Sequence, residues 1–181
     1  MKYYKILIFI PFIFPGFIAP PKLINADLDN PLPDTIVVNM DGLKSHIIPP
    51  KTMITLKLKA GKHSFDTKIK GVFYHSGYFE SSLDGLINVT RSDYVVWKDL
   101  YMKEEREEYY DNIQENVVVI DNQEYIGDIK LYDATSIFIP KEWDYDIKTS
   151  FPEFVDLGKQ PFVVKKKIFY KKDFIREYNN I

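Results

Sequence analysis

Between residues 53 and 59 the chain reads Met53-Ile54-Thr55-Leu56-Lys57-Leu58-Lys59, an alternation of apolar and polar side chains. In an extended strand Ile54, Leu56 and Leu58 would share one face, and Thr55 with the two lysines would share the other. This pattern is typical of an antiparallel strand with one face on a core and one face in water. The segment therefore predicts a fold built from half-buried sheets.

Short strands of the same kind are predicted on both sides of this segment. A strand over residues 35–40 ends at the turn Asp41-Gly42, and the residues after Ala60-Gly61 again alternate. Further strands are expected at residues 72–79, 86–89, 117–120, 124–132, 136–139 and 162–170, with a hairpin turn at Asp121-Asn122. Strands at such intervals favour an antiparallel β-sandwich over a parallel α/β sheet.

Two helices are expected beside the strands. Residues 98–114 carry Lys-Glu-Glu-Arg-Glu-Glu at their centre and only a thin apolar stripe, which predicts a surface helix. Phe174, Ile175 and Tyr178 have helical spacing and predict a short C-terminal helix. The expected fold is therefore mainly β, an antiparallel β-sandwich with one surface helix and a short C-terminal helix.

The first 26 residues have the layout of an export signal. Lys2 and Lys5 precede an apolar run over residues 6–19, and Ile24-Asn25-Ala26 ends the segment with a small residue. The run is shorter than the ~20 residues that a membrane-spanning helix needs. We predict a signal peptide cut after Ala26, with an uncleaved N-terminal anchor as the alternative.

The remaining chain divides at its prolines. Residues 27–34 carry two prolines and several acids without periodicity, which predicts a linker. Residues 35–181 would then form a single β-sandwich domain. With the signal, this domain is expected outside the cytoplasm, whether periplasmic, at the surface or secreted, and would touch a membrane only through residues 6–19 if these were uncleaved.

Composition limits the chemistry. The chain of 181 residues has a formal net charge of −2 and no cysteine. The lack of cysteine excludes disulfides, thiolate metal sites and a cysteine nucleophile. A net acidic chain argues against a nucleic-acid partner, because phosphate binding needs a basic face. The one basic concentration, residues 165–167 with 171–172, is typical of a solvated strand edge.

Turn signals recur in a fixed order over residues 35–71. Val37-Val38-Asn39-Met40-Asp41-Gly42 is followed by Ile48-Pro49-Pro50, and then by Leu58-Lys59-Ala60-Gly61-Lys62-His63. This order of strand, DG turn, proline and a strand ending in L-x-x-G-x-H resembles PEGA-type surface domains. The resemblance covers about a fifth of the chain and lacks the Thr-Pro pair of that family. It implies a small extracytoplasmic β-sandwich without catalytic activity.

Aromatic residues near irregular segments are the candidate binding residues, because Trp and Tyr dominate interface energetics. We expect exposed anchors for an unidentified protein or glycan partner at the cell envelope at Trp97, Tyr101, Trp143 and Tyr145. The function predicted from these features is a non-catalytic binding or scaffolding module.

Two alternatives remain open. Glu142, Asp144 and Asp146 alternate and would share one face of an extended segment, as the paired carboxylates of a glycan-active hydrolase require. An uncleaved anchor would instead make the chain a membrane-anchored subunit of an envelope complex. The chain has three histidines, at spacings that would not aim two imidazoles at one metal ion, so no metal or cofactor is expected. These are His46, His63, predicted to be a satisfied inward residue, and His75, the best placed of the three for a site.

Overall fold

The computed structural model describes residues 20–180, so the predicted signal or anchor over residues 6–19 lies outside the described residues. Within the described range, strands dominate and no helix is both long and apolar enough to cross a membrane. The strands form three four-stranded sheets. They are β1 (Leu23–Asn30), β2 (Ile36–Met40), β3 (Lys44–Ile48), β4 (Thr52–Lys59), β5 (Gly61–Ile69), β6 (Val72–Ser81), β7 (Gly85–Ile87), β8 (Tyr94–Met102), β9 (Asn116–Ile120), β10 (Gln123–Tyr132), β11 (Phe138–Pro140) and β12 (Phe162–Tyr170).

Two of these sheets form the predicted sandwich. The outer sheet has the order β3-β2-β5-β6, and the central sheet has the order β11-β7-β1-β4. Their facing side chains form one dry core, to which the outer sheet contributes Ile36 and Val38 and the central sheet contributes Ala26 and Leu28. The alternating apolar side chains of β4 pack against the same core. The prediction of a mainly β, antiparallel-rich sandwich is confirmed; among the described strands, β1 and β7 pair in parallel.

A third sheet packs on the other face of the central sheet. This C-terminal sheet has the order β12-β8-β10-β9. Leu86 and Ile139 of the central sheet share a buried cluster with Val96 and Ile168 of the C-terminal sheet. Helix α2 (Lys171–Tyr178) covers the far side, where its Phe174 is fully buried. The predicted short C-terminal helix is therefore present.

Two tight turns have the conformation that their residues favour. Asp41 and Gly42 have φ values of 54° and 63°, and Asp121 and Asn122 have φ values of 51° and 67°. Two successive positive φ values are the signature of the type I′ hairpin turn, which Asn, Asp and Gly tolerate best. Both predicted turns are confirmed.

The predicted surface helix is much shorter than its charge pattern suggested. Residues 98–102 belong to β8, which pairs with β12 from Tyr94 to Met102. Only α1 (Glu107–Tyr110) is helical within the predicted range, and it buries no residue. The prediction over residues 98–114 is wrong at its start because pairing with a neighbouring strand outweighs a weak helical preference.

The predicted linker is also wrong over residues 27–30, because they form the second half of β1. This strand lies inside the central sheet, paired with β4 on one side and β7 on the other. Its acids are buried with partners: Asp27 Oδ1 accepts a hydrogen bond of 2.6 Å from Thr55 Oγ1. A cut after Ala26 would divide this strand and would remove the buried Ile24 and Ala26.

Candidate functional site

Trp97 lies in the core rather than on the surface. It is 8% exposed, and its ring packs against Phe169, Phe174 and Tyr178 at centroid distances of 5.8–6.2 Å. Strand β8 is paired on both edges, and the face that carries Trp97 is covered by α2. The expectation of an exposed anchor at Trp97 is therefore wrong.

Trp143 is also a core residue. It is 7% exposed and belongs to the buried cluster between the central and C-terminal sheets. Its indole Nε1–H donates a hydrogen bond of 2.8 Å to Asp146 Oδ1. A buried indole needs such an acceptor, so this residue anchors the irregular segment and is not available as a surface contact.

Tyr101 and Tyr145 are partly buried and converge on Phe151. The ring centroids of Tyr101 and Phe151 lie 6.1 Å apart, and those of Tyr145 and Phe151 lie 5.9 Å apart. The Tyr101 hydroxyl donates to the carbonyl of Pro152, and burial raises the pKa of Tyr101 to about 12. The structure thus brings these two tyrosines together as supports for the segment around Phe151.

Two of the three alternating acids, Asp144 and Asp146, have side-chain partners within the fold. Asp144 Oδ2 accepts the backbone N–H of Lys166 at 2.9 Å, whereas Asp146 Oδ1 accepts the indole N–H of Trp143. The backbone N–H groups of Asp144 and Tyr145 both donate to Lys166 O, so the segment is not simply extended there. Asp144 and Asp146 are engaged in holding this segment to β12.

Lys167 is a buried cation that the sequence pattern did not reveal. It is 4% exposed, and its Nζ donates to Asp146 O at 3.0 Å, with the carbonyls of Ile147 and Ile168 at 3.4 Å. The same Nζ lies 4.4 Å from the centroid of the Phe169 ring. Burial lowers the pKa of Lys167. The expectation of a solvated lysine edge is wrong at this position.

A buried carboxylate joins the central and C-terminal sheets. Asp29 is 1% exposed, and it accepts hydrogen bonds from Tyr170 at 3.0 Å and from Tyr94 at 3.1 Å. Burial raises the pKa of Asp29, although both hydroxyl donors oppose that shift. Two donors to one carboxylate satisfy a group that would otherwise be costly to bury.

His63 occupies the wall of an open groove of about 470 Å³ lined by Asp41, Lys62, Ser64, Tyr78, Phe79 and Glu80. Its Nδ1 lies 2.8 Å from Asp41 Oδ2, and its Nε2 lies 2.7 Å from Lys59 O. A carboxylate and a carbonyl can only accept, so both ring nitrogens donate and the ring is an imidazolium. Burial works to lower the pKa of His63, but the two hydrogen bonds and the Asp41 charge outweigh it and raise the pKa. This histidine has no free lone pair for base catalysis.

His75 differs from His63 in its hydrogen bonding and in the direction of its pKa shift. It lies on β6 directly opposite Thr67, and Phe65 packs against its ring at 5.5 Å. The Nε2 of His75 and the Oγ1 of Thr67 are buried without hydrogen-bond partners in the part of the chain that is described. Burial, with the charge of Arg91, lowers the pKa of His75, so the ring stays neutral in the sandwich.

Strand β6 carries more exposed large apolar and aromatic side chains than any other strand of residues 20–180. It is an edge strand that pairs only with β5 among residues 20–180. Four large apolar or aromatic residues are exposed along it: Val72 (69%), Phe73 (61%), Tyr74 (44%) and Tyr78 (83%). Natural edge strands usually carry lysines or prolines that prevent pairing with another chain, and β6 has neither.

The sequence predicted a strand over residues 72–79 but did not single out its exposed side chains as a binding surface. A signal was available, because Tyr78 and Glu80 fall on the face opposite Gly77 and Phe79 in a strict alternation. What the alternation does not show is that β6 lies at the edge of its sheet. That position depends on strand order, which is a property of the whole fold.

Comparisons with protein-family models, with curated proteins and with solved structures find no match to this chain.

Proposed function

We propose that this chain is a non-catalytic binding module of the cell envelope that recognises a protein partner through the exposed edge of β6. The observation that carries the proposal is the run of exposed aromatic and apolar side chains on an edge strand. Such an edge offers backbone N–H and C=O groups to an extended segment of a partner, while side-chain anchors supply specificity.

The spacing of the two best anchors suits an extended partner. Phe73 lies opposite Lys68 on the outer sheet, and Tyr78 lies opposite Ser64. The two anchors are five residues apart, which corresponds to about 17 Å along a strand. A partner strand of ordinary length would span both rings, and the groove beside Tyr78 would take up part of the partner at the second one. Tyr is favoured at the centre of such contacts because it combines apolar area with a polar hydroxyl.

The hydrogen bonding of the candidate acid and base groups supports a binding role over a catalytic one. The His63 ring donates through both nitrogens, and Asp144 and Asp146 each accept a hydrogen bond that fixes the fold. Groups committed in this way stabilise structure and are not free to exchange protons with a substrate. The hydrolase remains the alternative proposal, and loss of glycan cleavage on Asp144→Asn would be its test.

The envelope location rests on the N-terminal sequence. Residues 2–19 combine two lysines with an apolar run, and this arrangement is typical of export signals. Cell fractionation followed by mass spectrometry of the native N-terminus tests this part of the proposal. Recovery of an untrimmed chain from the cytosol would contradict it.

The binding surface can be tested by site-specific photo-crosslinking in the native cell. A photoreactive amino acid at position 78 should form an adduct with one protein partner. The matched control is position 154, where Phe154 is 87% exposed outside the outer sheet. Phe73→Lys, which changes the other anchor, should reduce the adduct from position 78 by about tenfold or more, as expected for loss of an interface hot spot.

The stability of the Phe73→Lys variant must be measured beside the adduct. Phe73 is 61% exposed, so the substitution should leave the unfolding midpoint almost unchanged. Equal adducts from positions 78 and 154, or no adduct from position 78, would overturn the proposal. Tyr78-dependent binding to a glycan array without any protein adduct would also contradict it, because the partner would then be a saccharide.

A further inference from the structure

One end of the sandwich gathers five chain segments that are far apart in sequence. Strand β1 begins there, with Leu23 opposite Lys59 at the end of β4. The β2–β3 turn, the β4–β5 turn and the β6–β7 loop lie at the same end, as shown by the pairs Met40↔Lys44 and Gly61↔Ser81 and by the start of β7 at Gly85. Lys141 closes the group because its N–H donates to Asp84 O at 2.9 Å. This end is called the β1 end below.

Three leucines protrude from the β1 end into solvent. Leu43 is 89% exposed at the β2–β3 turn, Leu83 is 59% exposed in the β6–β7 loop and Leu23 is 58% exposed at the start of β1. Each comes from a different segment, so no single strand alternation accounts for them. Exposed leucines at the tips of neighbouring loops form an apolar surface that water solvates poorly.

Five lysines are exposed at the same end of the sandwich. The exposed lysines of the β1 end are Lys22, Lys44, Lys59, Lys62 and Lys141. Three acids lie beside these five lysines: Asp41 pairs with His63, Asp84 accepts two hydrogen bonds from Asn25, and Glu80 lies 4.0 Å from Lys62. The chain as a whole is slightly acidic, so this concentration of cations is local. Exposed apolar side chains and exposed lysines at one end of the fold match the chemistry of an anionic lipid surface.

The position of the chain start fits the same surface. The carbonyl of Lys22 accepts a hydrogen bond of 2.8 Å from the N–H of Ala60, so the chain enters the fold at the β4–β5 turn of the β1 end. The apolar residues 6–19 therefore precede the fold at this end. The β1 end is the part of the sandwich nearest to the segment predicted to engage a membrane.

We propose that the β1 end docks on an anionic membrane surface, with Leu23, Leu43 and Leu83 entering the headgroup region and the exposed lysines of this end contacting lipid phosphates. In this orientation the β1 end faces the bilayer and Val72, at the start of β6, points away from it. The proposal concerns the end of the sandwich rather than the edge of β6, although Lys62 lies both at this end and in the groove beside Tyr78. It does not require residues 1–19.

The test uses single labels on the full chain, which has no native cysteine. An environment-sensitive fluorophore is attached to Leu43→Cys, to Leu83→Cys or to Val72→Cys. Val72 is a matched control because it is apolar, 69% exposed and at the other end of β6. Vesicles contain phosphatidylglycerol in phosphatidylcholine, with brominated lipid as the quencher.

For the labels at positions 43 and 83, the emission maximum should shift to shorter wavelength when vesicles are added. Brominated lipid should quench about half of their emission, as expected for groups at the headgroup boundary. The label at position 72 should keep its emission wavelength and intensity in the same vesicles, as expected for a group that stays in water. Residues 6–19 precede the fold at the same end, so tethering alone could bring these labels close to lipid. Charge reversal at Lys44 and Lys59 distinguishes docking of this surface from tethering, because tethering does not depend on these two lysines. Labels at 43 and 83 that remain in water, or quenching that is equal at all three positions, would overturn the proposal.

The contribution of charge is tested by reversing two lysines. Neither Lys44 nor Lys59 has an ion-pair partner within residues 20–180, so Lys44→Glu with Lys59→Glu should preserve the fold. In the double variant, quenching of the label at position 83 should be about tenfold weaker. With Lys44 and Lys59 unchanged, replacing the anionic vesicles by vesicles of phosphatidylcholine alone should weaken this quenching to the same extent. Quenching that is unchanged in both cases would contradict an anionic surface. Failure of these tests would leave the adduct from position 78 unaffected, so the two proposals fail separately.

Discussion

The hydroxyl of Tyr170 donates a hydrogen bond of 3.0 Å to Asp29 Oδ1, although 141 residues separate the two in sequence. Tyr170 ends β12 in the C-terminal sheet, and Asp29 lies in β1 of the central sheet. The Tyr94 hydroxyl reaches the other oxygen of the same carboxylate. This contact joins the first and last described strands across a buried boundary.

Tyr170→Phe should lower the free energy of unfolding by about 1–3 kcal/mol, because it leaves one oxygen of a buried carboxylate without its donor. Urea unfolding at neutral pH measures the change. Tyr78→Phe is the control, since the Tyr78 side chain is 83% exposed and loss of its hydroxyl should change stability by less than about 0.5 kcal/mol. Equal effects of the two variants would show that the Asp29 contact does not stabilise the boundary.

A chain that begins at Asp27 should be markedly less stable than one that begins at Pro20. The shorter chain lacks Ile24 and Ala26, which are 1% and 0% exposed, and it exposes the paired edge of β4. Loss of the Ile24 side chain alone should cost about 2–5 kcal/mol. Circular dichroism during thermal unfolding compares the two chains, and equal midpoints would show that the first half of β1 is dispensable.

Trp143→Ala should destabilise the protein by about 3–5 kcal/mol, because it removes a buried aromatic ring and leaves a cavity. Trp143→Phe should cost less, since it keeps an aromatic ring and loses mainly the hydrogen bond to Asp146. Chemical unfolding of both variants measures the difference. A Trp143→Ala variant as stable as the native protein would restore the exposed-anchor interpretation.

Lys167→Glu should destabilise the protein by more than about 3 kcal/mol, because a carboxylate would face three carbonyl oxygens in a buried site. Lys172→Glu makes the same charge change at an exposed position and should cost less than about 0.5 kcal/mol. Unfolding by urea compares them. If the two variants were equally stable, the Lys167 ammonium would have to lie in water.

The stabilising contribution of His63 should depend on pH in a defined direction. The pKa of His63 is raised above its ordinary value of 6.5, so its contribution is fully present below that pH and is lost as pH rises through the raised pKa. The stability difference between the native protein and His63→Gln should therefore be larger at about pH 5.5 than at about pH 8.5.

His46→Gln is the control for this pH dependence. The pKa of His46 is lowered by burial and by Lys44, so its contribution should change with pH in the opposite direction. Unfolding at the two pH values measures both differences. A His63 difference that is constant with pH would show that its ring does not carry the imidazolium charge in the fold.

Much of the sandwich could be predicted from local patterns. The alternation over residues 54–59 predicted β4, and Asp41-Gly42 and Asp121-Asn122 predicted hairpin turns that the structure contains. These signals depend on backbone preference and on the two-residue period of a strand, which are properties of a short segment. They hold wherever one face of a strand is buried and the other is wet.

The errors share one physical cause. Strand β1 contains acids, and β8 continues into a charged segment. Residues 27–30 were therefore predicted as linker and residues 98–102 as helix, because the partners of their polar groups lie far along the chain. Asp29 finds Tyr170, and Lys98 finds Asp128 at 2.8 Å. Burial of Trp97, Trp143 and Lys167 likewise follows from layers that meet only after the sheets have formed.

The sequence by itself determined the class of fold, the two hairpin turns and the terminal helix, because hydrophobic period and turn chemistry act over a few residues. Only the tertiary structure decided that β6 is an edge strand and that β1 is an interior strand. It also decided that three leucines far apart in sequence are exposed at the β1 end. Strand order and layer packing arise from contacts between segments far apart in the chain, and those contacts determine which polar groups are buried and which apolar groups face water.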